Sequence, residues 1–209
     1  MMTGKIEYYS IISETTAELT IKRSKFIAHA SPTSATQSAD KYIAAISKQF
    51  QDATHNCFAY KIGTGDAASF RFSDAGEPSG TAGRPILRAI ENRNLTNVVV
   101  VVSRYFGGIK LGAGGLSRAY HSAALTVLDK ANIIEYHPRI IFSLKFPYPF
   151  ANAVHQVLHK YNGQVLKTRF EQGSVYLVQL KAADEADFRD ELTNISKGKI
   201  CIEQETSCD

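Results

Sequence analysis

Five consecutive valines at positions 98–102 constrain this chain more than any other stretch. Strand side chains alternate between faces, so a run without a polar member requires cover on both faces of its sheet. We read it as the most buried strand of the molecule. It runs directly into SRYFGGIKLGAGGLSRAY, residues 103–120, which holds five glycines and three cations. Leu116, Ala119, Tyr120, Ala123, Ala124 and Val127 then recur at helical spacing, so the unit is a strand, a glycine-rich loop and a helix start.

Around this unit the pattern changes repeatedly. Strand-like stretches open the chain (IEYYSII, AELTIKR, KFIAHA), and a helix follows with Ala39, Tyr42, Ile43, Ile46 and Phe50 on its inner face and Ser34 or Thr36 as its cap. Lys41, Lys48 and Gln49 point outward. CFAYKI and SFRF read as short strands, and the loop SDAGEPSGTAGRP leads to a helix beginning near Pro85, where a missing N–H needs no partner. Ser79 and Thr81 are the expected caps. The apolar turn NIIEYHP closes the unit. From residue 138 a second rhythm appears. RIIFSLKF alternates, AVHQVLHKY carries Val154, Val157, Leu158 and Tyr161 on one stripe, and QVLKTRF and SVYLVQL form a hairpin through Glu171, Gln172 and Gly173. A helix with Phe188, Leu192 and Ile195 inward and the strand KICIE complete a β-α-β-β-α-β order, the ferredoxin-like pattern. The expected fold class is α+β in two domains, 1–137 and 138–209.

Charge separates the two parts. Of the formal net charge of +4, all lies between residues 71 and 118, where seven Lys/Arg face three acids, while 138–209 balances nine against nine. Attraction for a polyanion belongs to the first part. No apolar run approaches the roughly 18 residues of a membrane span, and the start lacks the blocks of a signal peptide, so we expect a cytoplasmic protein without a membrane partner. Cys57, Cys201 and Cys208 have no paired spacing, which suggests neither a disulfide framework nor a zinc ribbon.

Glycine admits close backbone approach, and a helix start carries partial positive charge, so Gly107, Gly108, Gly112, Gly114 and Gly115 could hold phosphate. Both nucleotide fingerprints are missing, because Lys110 precedes the central glycine and GAGGLS lacks the last glycine of GxGxxG. The plain alternative is a tight strand-to-helix turn. Arg104, Lys110 and Arg118 flank this loop, and Arg84 and Arg88 follow the second one. If the two loops adjoin, cations and two helix starts converge, with Tyr105 and Phe106 available to stack on bases. For Phe72 and Tyr120 we expect core packing. His55 and Cys57, two apart on a strand, form an alternative site as a nucleophile pair or metal ligands, with Asp74 and Glu77 as further members. A buried thiol and a hydrogen-bonded strand end are the commoner roles of the first two, and turn chemistry explains the acids. His155 and His159 lack the glutamate of HExxH, which leaves an ordinary helix surface. No metal or cofactor is expected.

Taken together, DATHNCFAYKIG, SDAGEPSGTAGRPIL and NVVVVVSRYFGGIKLGAGGLSRAY closely resemble the IMPACT/YigZ family, with Ala75 where that family accepts small or acidic residues and Ala113 where it accepts small or hydroxyl ones. The resemblance implies an N-terminal domain like domain two of a small-subunit ribosomal protein and like galactokinase-type kinases. It also implies a C-terminal domain like the ferredoxin-like last domain of elongation factor G. Its eukaryotic relatives regulate translation by binding a partner of an initiation-factor kinase, partly through an additional domain for which this chain has no room. The reading that results is a non-enzymatic nucleic-acid-binding protein, with RNA or the ribosome as partner and a protein partner in translation control as a further one. The alternatives are a small-molecule enzyme using the glycine-rich cleft, as a phosphoryl or nucleotide site or a Cys57/His55 hydrolase, and a protein-interaction module.

Overall fold

The computed structural model describes residues 8–170 and 173–205. The chain divides into two compact units, Met1–Tyr136 and His137–Asp209.

In the first unit the strands β1 (Tyr8–Ile11), β2 (Thr15–Ile21) and β3 (Ser24–Pro32) precede helix α1 (Thr36–Gln49). After them come β4 (His55–Ile62), β5 (Ser69–Ser73), α2 (Gly83–Asn92), β6 (Val98–Tyr105), α3 (Gly112–Lys130) and β7 (Ile133–Tyr136). Five strands form one sheet in the order β2-β3-β6-β4-β5, antiparallel throughout. The valine strand β6 is central, with Val102 opposite Ala28 on one side and Cys57 on the other. Antiparallel sheets often leave one face to water. Here helices cover both. Val98, Val100 and Val102 pack with Ala28, Ala30, Cys57 and Ala59 against α2 and α3, whereas Val99 and Val101 pack with Phe58 and Tyr60 against Ala39, Ile43 and Ile46 of α1. Each buried valine contributes roughly 1.5–3 kcal/mol of transfer free energy, which fixes β6 as the axis of the unit.

The second unit contains β8 (Arg139–Phe146), α4 (Ala151–Lys160), β9 (Gln164–Phe170), β10 (Ser174–Lys181), α5 (Glu185–Ser196) and β11 (Cys201–Glu205). Its sheet order is β11-β8-β10-β9, all antiparallel. This is the ferredoxin-like arrangement expected from the β-α-β-β-α-β order. Phe142, Leu144 and Phe146 of β8 meet Val154, Val157 and Leu158 of α4 and Phe188 and Leu192 of α5 in its core.

Several local expectations need correction. Neither Ser34 nor Thr36 caps α1; Ala35 is the cap residue, and its carbonyl accepts from the Thr33 and Ser38 hydroxyls. The segment after α3 is a strand, because it finds a partner in β1 with Ile11 opposite Ile133. Phe72 is 37% exposed and Phe70 59%, since β5 is the sheet edge. Ile195 is 45% exposed, and Ser196 takes the inward position by bonding back to the Leu192 carbonyl. The turn residues Glu171 and Gln172, and Cys208, lie outside the described residues. Among the described residues no helix is long and apolar enough to cross a membrane.

Candidate anion-binding site

Helices α2 and α3 lie side by side on one face of the sheet and run in the same direction. Asn92, at the end of α2, bonds His121 in the middle of α3, and Arg93 pairs with Asp129 near the end of α3 at 2.6 Å. Both helices therefore start at the same end of the unit. There the two glycine loops adjoin, and a cavity of about 320 Å³ is lined by His55, Glu77, Arg104, Phe106, Lys110 and the first residues of α3 among others.

The two helix starts are finished differently. Asp74 sits at the mouth of the first loop, and its carboxylate accepts from the backbone N–H groups of Gly80 (2.8 Å), Ala82 and Gly83 (both 2.9 Å). Burial works to raise the Asp74 carboxyl, but these three donors outweigh it and hold the acid below its ordinary 3.8. Neither Ser79 nor Thr81 performs the expected capping; the Thr81 hydroxyl bonds the Pro78 carbonyl instead. The start of α3 has no side-chain cap at all. Gly112 and Ala113 of its first turn line the cavity.

Beneath the cavity lies a buried polar cluster. The Arg104 guanidinium donates from Nη1 to Glu77 Oε1 at 2.6 Å and from Nη2 to Ser24 Oγ at 3.3 Å. The Tyr120 hydroxyl donates to the same Glu77 oxygen at 2.8 Å. Phe26 and Phe106 flank the guanidinium with ring centroids 5.6 and 5.4 Å away. Arg104 is 5% exposed and Glu77 8%, so this arginine is a wall of the cavity rather than a surface contact. Burial pushes the Cys57 thiol up to about 12, with Glu77 and Asp74 adding to it, and Sγ donates to the Asp74 carbonyl. A thiol in that state is no nucleophile. The His55 ring bonds the Ala75 carbonyl through Nδ1 at 2.9 Å; a carbonyl only accepts, so Nδ1 carries the proton.

The sequence-selected cations divide cleanly. Of the seven between residues 71 and 118, Arg71 pairs with Asp40, Arg93 with Asp129 and Arg104 with Glu77. Arg84, Arg88, Lys110 and Arg118 are exposed and, among the described residues, have no ion-pair partner. All four belong to the opening turns of α2 and α3 or to the loop before α3. The aromatic candidates divide too. Tyr105 donates its hydroxyl to Asp52 at 2.9 Å, whereas Phe106 is 46% exposed at the cavity wall. Phe70 and Phe72 were not selected from the sequence for this role; their position on an edge strand beside α2 is what exposes them.

The glycines have separate tasks. A Cβ on Gly107 would fall 2.0 Å from the Arg23 carbonyl oxygen, so this residue is needed for two backbones to pass. Gly112 has φ +69°, the left-handed turn that admits the chain to α3. A Cβ on Gly114 would meet only the Arg118 guanidinium, at 3.5 Å. His155 bonds the Tyr176 hydroxyl, and among the described residues no group of three or more His, Cys, Asp or Glu is placed to hold a metal ion.

The model of the Impact N-terminal domain matches residues 22–128, which contain all of these groups. The chain is 34% identical over 197 residues to the IMPACT family member YvyE of Bacillus subtilis, covering 94% of this chain and 90% of that one. It is 34% identical over 116 residues to Protein IMPACT of Rattus norvegicus, a match to 54% of this chain and 37% of the rat protein. A crystal structure described as that of a hypothetical protein aligns at TM-score 0.69 and 28% identity over 96% of this chain and 98% of the other.

Proposed function

The chain belongs to the IMPACT family, and we propose that within it this protein is a non-enzymatic RNA-binding protein whose first unit grips the phosphate backbone. The observation that supports this is the sorting of charge within residues 71–118: the four of its seven cations that have no ion-pair partner among the described residues, Arg84, Arg88, Lys110 and Arg118, all gather where α2 and α3 begin. Acids neutralise the other three. Phosphate contacts of this kind position a strand without reading its sequence. Phe70, Phe72 and Phe106 add exposed rings on which unpaired bases can stack, at roughly 1–3 kcal/mol per base. The resemblance to translation regulators and to pieces of the translation machinery makes the ribosome or its RNAs the natural source of that strand. Against the hydrolase alternative stands the buried, protonated Cys57.

Fluorescence anisotropy with a labelled single-stranded RNA, titrated across salt, tests the proposal. Four phosphate contacts at about −0.7 each give a slope of log affinity against log salt near −3. Reversing two exposed charges, Arg84→Glu with Arg118→Glu, is expected to remove about half of that slope and most of the affinity. Unchanged affinity in this variant would refute the proposal, and capture of a protein that survives nuclease treatment would replace it with a protein-interaction reading.

A further inference from the structure

We propose that the open face of the second unit's sheet is a docking surface for the backbone of double-stranded RNA. Its contacts are separate from those proposed for the first unit. Residues 138–209 hold nine basic and nine acidic residues, a balance that conceals how the fold sorts them. Phe142, Leu144 and Phe146 turn one face of the sheet to α4 and α5, so the alternate residues of each strand form the other face. Arg139 and Lys145 of β8, Lys167 and Arg169 of β9 and Lys181 of β10 all belong to that open face, against Glu203 and Glu205 of β11. Five of the nine acids lie instead between residues 184 and 191, on the helix side. A unit without net charge thus carries a basic face.

Folding alone would not choose this arrangement. Arg139 stands directly opposite Lys181, and like charges so placed cost stability. Lys145 pairs with Glu203, whereas the other four cations have no ion-pair partner among the described residues. Ser143, Lys167, Arg169, Val175, Leu177 and Glu205 line a depression of about 270 Å³. Ser143 is 6% exposed, and its hydroxyl has no hydrogen-bond partner among the described residues, so the depression offers a free donor beside two cations. Arg169 and Lys167 sit opposite Val175 and Leu177, six and four residues along β10 from Lys181. At about 3.3 Å per residue the two groups of cations are roughly 13–20 Å apart, which gives each strand of a duplex its own contacts. Among the described residues no aromatic side chain belongs to this face, so it lacks the stacking platform that an unpaired strand uses. A-form RNA presents a wide, shallow minor groove with its phosphates and 2′-hydroxyls, which a flat face can meet without reading bases.

The test is fluorescence anisotropy of the whole chain with a labelled, blunt-ended RNA duplex, the DNA duplex of the same sequence and one of the RNA strands alone. We expect the RNA duplex to bind at least about fivefold more tightly than the DNA duplex. Lys167→Gln with Arg169→Gln should weaken RNA-duplex binding at least about tenfold and make the slope of log affinity against log salt shallower by about 1.8, at about 0.9 per lost contact. Lys197→Gln with Lys199→Gln removes the same charge from the loop after α5 and should change neither. Both pairs are exposed, so circular dichroism melts of the two variants should match the wild type. RNA-duplex affinity that is unchanged in the first variant, or weakened equally in the second, overturns the face, and equal binding of the DNA duplex overturns the choice of RNA. Single-strand binding without duplex binding overturns the face and leaves the function proposed above standing. Duplex binding that depends on Lys167 and Arg169, with no affinity for the single strand, upholds the face and overturns the contacts proposed for the first unit.

Discussion

Removing one member of the Arg104–Glu77 pair should be far more damaging than removing both. The two charges lie 2.6 Å apart, and both residues are more than nine-tenths buried. Loss of one partner from such a pair costs about 3–5 kcal/mol, against a total domain stability of about 5–15 kcal/mol. The two single variants are not equivalent. Glu77→Leu strands a guanidinium that cannot lose its proton and also orphans the Tyr120 hydroxyl, itself worth about 1–3 kcal/mol, so it belongs at the upper end. Arg104→Met strands a carboxylate that can neutralise itself by taking up a proton, so it belongs at the lower end. In the double variant the charges are gone and the aromatic walls formed by Phe26 and Phe106 accept methionine. We expect it to be more stable than either single variant, with a coupling of at least about 2 kcal/mol. Native-state hydrogen exchange at the amides of residues 99–101 is the right assay, because β6 opens only when the first unit unfolds and the second unit does not enter the reading. Single variants costing under about 1 kcal/mol, or costs that simply add, would refute the picture of a desolvated pair.

Three further outcomes follow from the site. Asp74→Ala should cost about 1–2 kcal/mol near neutral pH by uncapping α2. Because the folded Asp74 titrates below 3.8, its contribution is whole above about pH 4 and fades as pH falls through the folded value; the gap in Tm between wild type and variant should therefore narrow only in acid. A gap that is constant down to pH 2 would contradict this. Gly107→Ala should lower Tm steeply or prevent folding, whereas Gly114→Ala should be tolerated and gain about 0.5–1 kcal/mol; circular dichroism melts of the two decide it. Finally, Cys57 should resist iodoacetamide at pH 7 in the folded protein while the exposed Cys201 reacts, as read by peptide mass mapping; rapid labelling of Cys57 would show that the thiol is not buried in solution.

The sequence was most readable where burial alone decides. The valine strand, the inner faces of α1, α3 and α4 and the ferredoxin-like order all follow from period and polarity, because those residues answer to the core and nothing else. Features that depend on long-range partners were hidden. The first acid of the loop at 73–85 looks like ordinary turn chemistry, yet Asp74 reaches N–H groups six to nine positions ahead to finish α2. Arg104 looks like a phosphate contact because it flanks a glycine loop, but alternation along β6 sends it inward to Glu77. Reversing its charge would therefore probe folding and not binding. Phe72 reads as core because aromatic residues in a strand usually are; only the sheet order reveals that its strand is an edge.

The central place of β6 also bears on synthesis. Its partners are the inner strands of two hairpins, β2–β3 and β4–β5, each complete before β6 emerges. β4 ends at Ile62 and β6 at Tyr105, so at about 5–20 residues per second both hairpins wait several seconds with one open edge. During that interval the edges of β3 and β4 are templates for each other and for any other strand nearby. Insertion of the valine strand between them is the step that closes both, and it draws on contacts distant in sequence, which makes it slow. A nascent chain of this protein is thus most exposed to mispairing just before its most hydrophobic segment arrives.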